Sequence, residues 1–360
     1  MARIVYGVSG EGSGHSSRAQ VMLTHLKELG HSIRVVSYDR GYASLKDDFD
    51  VFETEGLHIV SDDNRVDKVK TLTYNLKRLS KGQRKVNQLR QDIFKAFDPH
   101  AVITDFEPMT AYLAHHYERP LISIDNQHRL RYMHYTCPPE LKEDQILIRN
   151  IIRSMVPNPD VALVSSFYQG EATNGRTFIF TPILRDAVLA LRPEAGSHIL
   201  VYLTSGFESF IDMLKEFPRE QFVVYGSGRE GVDGHLCFKP PSRNGFLQDL
   251  ATCRGVMATA GFTLITEALH LGKPYLALPM IGQFEQEINA HFLTLLGYGL
   301  SMRQIRPETI GNFLYRLPEL AGKLDNYPAS GNDAILARLA DLTADDCAEA
   351  AEFRRRRKGD

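Results

Sequence analysis

The chain has only four cysteines among 360 residues, Cys137, Cys237, Cys253 and Cys347, and none forms a Cys-x-x-Cys pair. That argues against a disulfide framework or a cysteine zinc site and fits a reducing cytoplasm. No apolar run approaches the roughly eighteen residues a membrane-spanning helix needs, so none is expected. The apolar run near the N-terminus is too short for the core of a signal peptide. No charge sign dominates: 42 Lys+Arg face 44 Asp+Glu, a formal net charge of -2. With 43% hydrophobic and 24% charged residues, bulk disorder and fibrous repeats are also excluded. No fixed-period repeat is visible, and a length of 360 residues suggests two domains.

The near-neutral total hides two basic segments. Residues 65–95 hold ten Lys or Arg against Asp67 and Asp92, a local charge of +8. Arg354 to Lys358 form a second cluster. A solvated helix face explains most such runs, but this one is more one-sided than solubility requires.

Short apolar runs alternate with helical periodicity along the chain. Arg3–Ser9 reads as a buried strand, a glycine loop follows, and His15–Leu29 carries Ala19, Met22, Leu23 and Leu26 on one face. Ser32–Tyr38 completes a βαβ opening. A long helix is expected over 66–97, then strands near 100–104, 120–124, 161–165 and 177–180, with helices over 109–117 and 145–155. After a connector at 181–197, the alternation restarts with strands at 198–203, 221–225, 255–258 and 274–278. Helices are expected to 217, at 262–271 and at 283–296. The reading is α/β: two doubly wound Rossmann-like domains facing a central cleft. Residues 1–185 form the first, 186–197 the linker, 198–330 the second, and 331–360 a C-terminal helix with a basic tail that packs back on the first.

Two loops carry the chemistry. Ser9-Gly10-Glu11-Gly12-Ser13-Gly14-His15 joins the first strand to the first helix, where ligands bind in such sheets. Its spacing matches neither the dinucleotide fingerprint nor a P-loop. His15 sits on the first turn, where the helix N-terminus disfavours imidazolium, so it is a candidate base; the competing reading is a capping or exposed histidine. Asp105 ends a later strand at the same rim and can orient that imidazole, unless it merely caps the helix starting near Pro108. Asp125, Asn126, Gln127 and His128 form a further polar cluster there, whereas His115 and His116 read as packed or surface residues. In the second half, Gly261 lets a phosphate approach a helix start, Thr263 adds a hydroxyl, and Glu267 lies where a ribose diol would reach it. Gln283, Glu285 and Glu287 open the next helix with groups suited to sugar hydroxyls.

The stretch MATAGFTLITEALHLGKPYLALPMIGQFEQEINAHFL, 257–293, resembles the donor-binding segment of GT-B glycosyltransferases, in particular the MurG-like and UDP-glycosyltransferase families. VYGVSGEGSGHSSRA, 5–19, resembles their N-terminal acceptor-side loop, and its GEGSGHSSRA form is similar to a group of predicted bacterial and archaeal glycosyltransferases. The resemblance implies a hexosyltransferase-like enzyme that needs no metal and no cofactor, moving a sugar from a nucleotide-sugar co-substrate, UDP-linked, to an acceptor hydroxyl. It implies that Gly261 and Thr263 hold the diphosphate and Glu267 the ribose, and that Gln283 and Glu287 face the sugar. Ser205 and Gly206 would line the phosphate side, and Phe246 would lie near the base. His15 matches the family's base, Asp105 its supporting acid, and Gly12, Gly14 and Asn126 the acceptor-side loop. The family's His-Gly-Gly before the helix is here Thr259-Ala260-Gly261, so a phosphate-contacting histidine is missing.

Two other classes compete. A nucleotide-sugar hydrolase of the same fold would use Gly14-His15-x-x-Arg18 to activate water. A non-catalytic protein would bind nucleic acid or another anion through its basic segment, with Tyr132 to Tyr135 stacking bases. The acceptor side of the transferase reading favours an anionic or lipid-linked acceptor. It also favours a cytoplasmic protein touching an anionic membrane through residues 65–95 and 354–358.

Overall fold

The structure, a computed structural model, describes residues 1–56, 61–62, 65–66, 84–194, 196–203, 208–304, 306–328 and 331–359. Most of the basic segment expected as a helix over 66–97, and the turn carrying Ser205 and Gly206, lie outside the described residues. The chain forms two compact units. The first comprises Met1–Val60, Asp67–Arg185 and Gly331–Asp360; the second comprises Ser61–Val66 and Asp186–Ser330.

In the first unit the chain runs β1 (Arg3–Val8), α1 (Gly14–Glu28), β2 (Ser32–Ser37), α2 (Asp39–Leu45) and β3 (Val51–Glu53). A small antiparallel pair, β4 (Ser61–Asp62) and β5 (Arg65–Val66), comes next in sequence. Then follow α3 (Arg90–Phe97, wound as a π-helix), β6 (Ala101–Asp105), α4 (Pro108–His116), β7 (Leu121–Asp125), α5 (Arg129–Tyr132), α6 (Lys142–Met155), β8 (Val161–Ser165) and β9 (Thr177–Phe180). Seven parallel strands lie in the order β3-β2-β1-β6-β7-β8-β9. Strand alternation explains why both faces need helices. Ile4, Tyr6, Val8 and Ile103 point into a core shared with Met22, Leu23 and Leu26 of α1. Val5 and Val102 point into the opposite core with Ile93, Phe94 and Ala111. Each buried Leu or Ile there contributes about 1.5–3 kcal/mol. The order reverses between β1 and β6, so the crevice at their carboxyl ends is the switch point where such sheets bind ligands.

The second unit contains α7 (Asp186–Leu189), β10 (His198–Tyr202), α8 (Glu208–Leu214), β11 (Gln221–Tyr225), β12 (Gly231–Asp233), β13 (Leu236–Lys239), α9 (Arg243–Thr252), β14 (Gly255–Thr259) and α10 (Phe262–His270). It ends with β15 (Tyr275–Leu278), α11 (Phe284–Leu295), β16 (Gly299–Ser301) and α12 (Pro307–Leu324). The strand order is β12-β13-β11-β10-β14-β15-β16, parallel except for β12. Its switch point lies between β10 and β14, and the loop leaving β14 is Ala260-Gly261. Ile310, Phe313, Leu317 and Leu320 of α12 close the core of this unit.

The last helix, α13 (Asp333–Gly359), belongs to the first unit. Ile335, Leu339 and Leu342 join the α1 core, and the helix breaks at Ala344–Cys347. Four of the five cations at its basic end have acidic partners. Asp160, fully buried beside β7, accepts the Leu121 N–H at 2.8 Å, Arg357 Nε at 2.5 Å and Arg354 Nη1 at 3.4 Å. Arg356 and Lys358 pair with Glu352 and Glu118. In the described part of the basic segment Lys85 is paired, with Glu53 at 3.2 Å and Glu55 at 3.8 Å. No helix among the described residues is long and apolar enough to cross a membrane. Removing one member of a buried pair strands its partners' charge and costs about 3–5 kcal/mol. Asp160→Ala should therefore lower stability by an amount of that order in urea unfolding, and a loss under about 0.5 kcal/mol would show that the tail is not held by this residue.

Candidate active site

The loop from β1 to α1 is shaped by close packing. A side chain at Gly10 would place its first carbon 2.2 Å from the Tyr38 carbonyl oxygen, and Gly12 has φ +77, so both positions favour glycine. Ser9 ties the loop down: its N–H donates to the Asp105 carbonyl at 3.0 Å and its hydroxyl meets the Tyr38 hydroxyl at 3.1 Å. α1 then starts at Gly14, with no side chain capping its first turn.

On that turn His15 Nδ1 lies 2.6 Å from Asp105 Oδ1. Asp105 is fully buried at the end of β6. One turn further along α1, Arg18 grips the same carboxylate bidentately, Nε to Oδ2 at 2.8 Å and Nη2 to Oδ1 at 2.6 Å. Its Nη1 donates to Asn126 Oδ1 at 2.8 Å. Arg18 is itself 5% exposed. Burial works against its charge, but attraction and hydrogen bonding to Asp105 outweigh this and raise its pKa above the usual arginine value. The carboxylate accepts from both Arg18 nitrogens and, on Oδ1, from His15 Nδ1–H. The contact of Arg18 Nη2 with His15 Nδ1 at 3.2 Å is then a cation beside the ring rather than a hydrogen bond. This tautomer leaves Nε2 as the basic nitrogen.

Asp105 does not cap the next helix. Glu107 does, accepting from Met109 N at 2.9 Å and Thr110 N at 2.7 Å, while burial raises its pKa. Phe106 between them has φ +56; its ring stacks on His15, with centroids 6.4 Å apart, and meets His128 edge-on at 6.5 Å. His128 and Asp125 form a second buried pair, Nδ1 to Oδ2 at 2.6 Å, and His128 Nε2 has no partner among the described residues. The structure thus brings His15, Asp105 and Asn126 together through Arg18. The sequence offered Arg18 only as part of a hydrolase-like motif, and its i+3 spacing from His15 was the available signal.

In the second unit Gly261 is the N-cap of α10, and open space surrounds the position a side chain would take. The loop is pinned from two sides: the Tyr275 hydroxyl donates to Thr259 O at 2.7 Å and Asn289 Nδ2 to Ala260 O at 2.9 Å. Thr263 is partly exposed on the first turn and Glu267 is buried on the second. Gln283 is the N-cap of α11, and its Oε1 is buried without a hydrogen-bond partner among the described residues. Glu287 sits one turn on, its Oε2 2.9 Å from Arg303 Nε in an ion pair without the alignment of a directed hydrogen bond. Phe246 of α9 meets Tyr202 edge-on at 5.4 Å and Tyr225 at 5.2 Å.

Arg18→Met should destabilise the first unit by about 3–5 kcal/mol, because it breaks a buried ion pair and leaves the Asp105 carboxyl group one of its three side-chain hydrogen bonds. Arg18→Lys keeps the charge but not the fork and should fall between. Thermal unfolding of the two variants checks this; equal, wild-type midpoints for both would remove Arg18 from the array.

Comparison with known proteins agrees with this architecture. The family model for glycosyl transferase family 1 matches residues 2–318. Two proteins of Methanosarcina acetivorans, each named an uncharacterized glycosyltransferase, are 25% and 23% identical over 338 and 375 residues. The alignments cover 86% of this chain and 86% of the first relative, and 90% and 95% for the second. Among solved structures, the kitacinnamycin glycotransferase superposes with a TM-score of 0.65 at 15% identity over 98% of both chains. The calicheamicin glycosyltransferase CalG4 gives 0.63 at 14% identity over 96% of this chain and 99% of that one. UGT2 of Phytolacca americana, solved with UDP-2-fluoro-glucose and pterostilbene, gives 0.61 at 13% identity over 100% of this chain and 99% of that one. The chain belongs to glycosyl transferase family 1 and is a GT-B glycosyltransferase, moving a sugar from a nucleotide-sugar donor to an acceptor.

Proposed function

We propose that the donor is UDP-linked, that no metal takes part in the chemistry, and that His15 is the base that deprotonates an acceptor hydroxyl. The observation that carries this reading is the buried His15–Asp105–Arg18 array. Asp105 fixes the imidazole tautomer and faces the imidazolium that forms; Arg18 and Asn126 fix Asp105. His15 Nε2 takes the hydroxyl proton as the acceptor oxygen attacks the anomeric carbon. The bond from that carbon to the diphosphate oxygen breaks, and the nucleoside diphosphate leaves with the electron pair. Open N–H groups at the start of α10 and the Thr263 hydroxyl meet its charge, work done elsewhere by a metal. Glu267 holds the ribose hydroxyls, and Gln283, whose amide oxygen has no partner among the described residues, contacts the donor sugar. Glu287 contributes there as a carboxylate already facing Arg303. Phe246 and its two tyrosine neighbours offer an apolar face to the base.

General base catalysis of this kind is worth about 10²–10⁴-fold. His15→Ala should lower kcat by that order while donor affinity changes little, and wild-type turnover in steady-state kinetics would reduce His15 to a structural residue. Rapid UDP release from UDP-sugar in the absence of acceptor would assign the same residues to hydrolysis instead.

Glu267→Ala should weaken UDP-sugar binding by about 1–3 kcal/mol in calorimetry, as a hydroxyl loses its charged partner. An unchanged affinity would move the ribose elsewhere.

A further inference from the structure

One group of cations in the first unit has no counterion among the described residues. The isolated bridge Met133↔Ala172 and the Thr173 N–H to Tyr132 O bond at 2.8 Å bring the loop carrying Arg176 against the end of α5. From the other side, Arg149 of α6 donates from Nε to Leu130 O at 3.2 Å, and Arg153 follows it by one helical turn on the same face. Between these elements Arg131 lies over the Tyr132 ring, its guanidinium carbon 4.9 Å from the centroid. Arg131 Nη1 is buried and has no hydrogen-bond partner among the described residues. The Tyr132 phenol feels Arg131, Arg176 and Arg153 together, and Arg153 repels Arg131. Asp125 also acts on this phenol, and His128 already occupies both of its oxygens. Among the described residues the Arg176 guanidinium makes one hydrogen bond, Nη1 to the Pro159 carbonyl at 3.2 Å.

Like charges gathered without an acid weaken the unliganded fold, in contrast to Arg18, Arg354 and Arg357, each of which meets a buried carboxylate. Planar guanidiniums with free N–H groups match the oxygens of a phosphoryl group, which several can grip at once. We propose that Arg131, Arg153 and Arg176, with Arg149 beside them, form a binding site for a phosphoryl group carried by the acceptor. The site is joined to His15 by a run of ring contacts. Tyr132 stacks on His128 at 5.2 Å, and Phe106 touches both His128 and His15. Naming the acceptor as the phosphoryl carrier rests on the reading of His15 as base; the anion site itself does not.

The test is calorimetric titration of the full chain with inorganic pyrophosphate in the presence of saturating UDP, which fills the proposed diphosphate site at the start of α10. Wild type should bind saturably, and Arg131→Gln, Arg153→Gln and Arg176→Gln should each weaken binding at least tenfold. Arg254→Gln, which removes a paired cation of the second unit, should not. Arg131→Gln should also unfold thermally no earlier than wild type without ligand, since it relieves repulsion rather than breaking a pair. His15→Ala should retain pyrophosphate binding, so a failure of His15 as base would leave this result standing. The proposal falls if wild type shows no saturable binding, or if the three variants bind like wild type. It also falls if the arginines prove necessary only for sedimentation with phosphatidylglycerol vesicles and not for pyrophosphate, which would make the cluster a headgroup contact.

Discussion

The ion pair between Arg18 and Asp105 sets the geometry of the first unit's site. Taking both charges out of water is costly, and the cost is met only because nearly every donor and lone pair is used: two bonds from the guanidinium, one from His15, and one onward to Asn126. Such saturation needs β1 and β6 in one register, Val8 opposite Asp105, with the Ser9 N–H closing on the Asp105 carbonyl. A slip of one residue would turn Asp105 to the other face of the sheet and leave Arg18 without a partner. The array thus depends on strand pairing as much as strand pairing depends on apolar burial.

Three adjacent residues divide the remaining work. Asp105 points to α1, Glu107 points to the N-terminus of its own helix, and Phe106 takes a left-handed backbone between them. That conformation costs a non-glycine residue of the order of 1 kcal/mol. It lets the two carboxylates diverge, so that capping and orienting do not compete for one side chain. It also sets the Phe106 ring against both imidazoles, parallel to His15 and edge-on to His128, without adding a polar group.

Much of this was legible in the chain. Buried parallel strands are short apolar runs, so Val161–Ser165, Thr177–Phe180 and Gln221–Tyr225 could be read to the residue. His15 and Asp105 stood out because both follow strands at the ligand-binding rim. What escaped reading depends on partners distant in sequence. Arg354 looks like part of a solvated tail until Asp160 is placed beside it. Arg131, Arg153 and Arg176 lie on separate segments and converge only through a bridge and one side-chain bond. The helix Pro307–Leu324 went unrecognised because Pro318 interrupts a helical pattern; its burial of Phe313 and Leu317 outweighs the lost backbone bond. The short strands β12 and β13 were missed because β12 is exposed along its length and carries no apolar alternation.

The two units use one device for different chemistry. In each, a strand at the switch point gives way to glycine and then to a helix start with no side-chain cap. The unanswered N–H groups of such a turn favour negative charge. In the first unit the turn also carries His15, whose Nδ1 meets the Asp105 carboxylate, and Arg18 shares that carboxylate. In the second unit no ionisable group occupies the turn. Gly261 leaves space, and the carbonyls that would repel an anion, those of Thr259 and Ala260, are drawn away by Tyr275 and Asn289. The first turn carries a charged array and the second a bare helix start held still, which is the difference that the proposed roles of base and diphosphate site require.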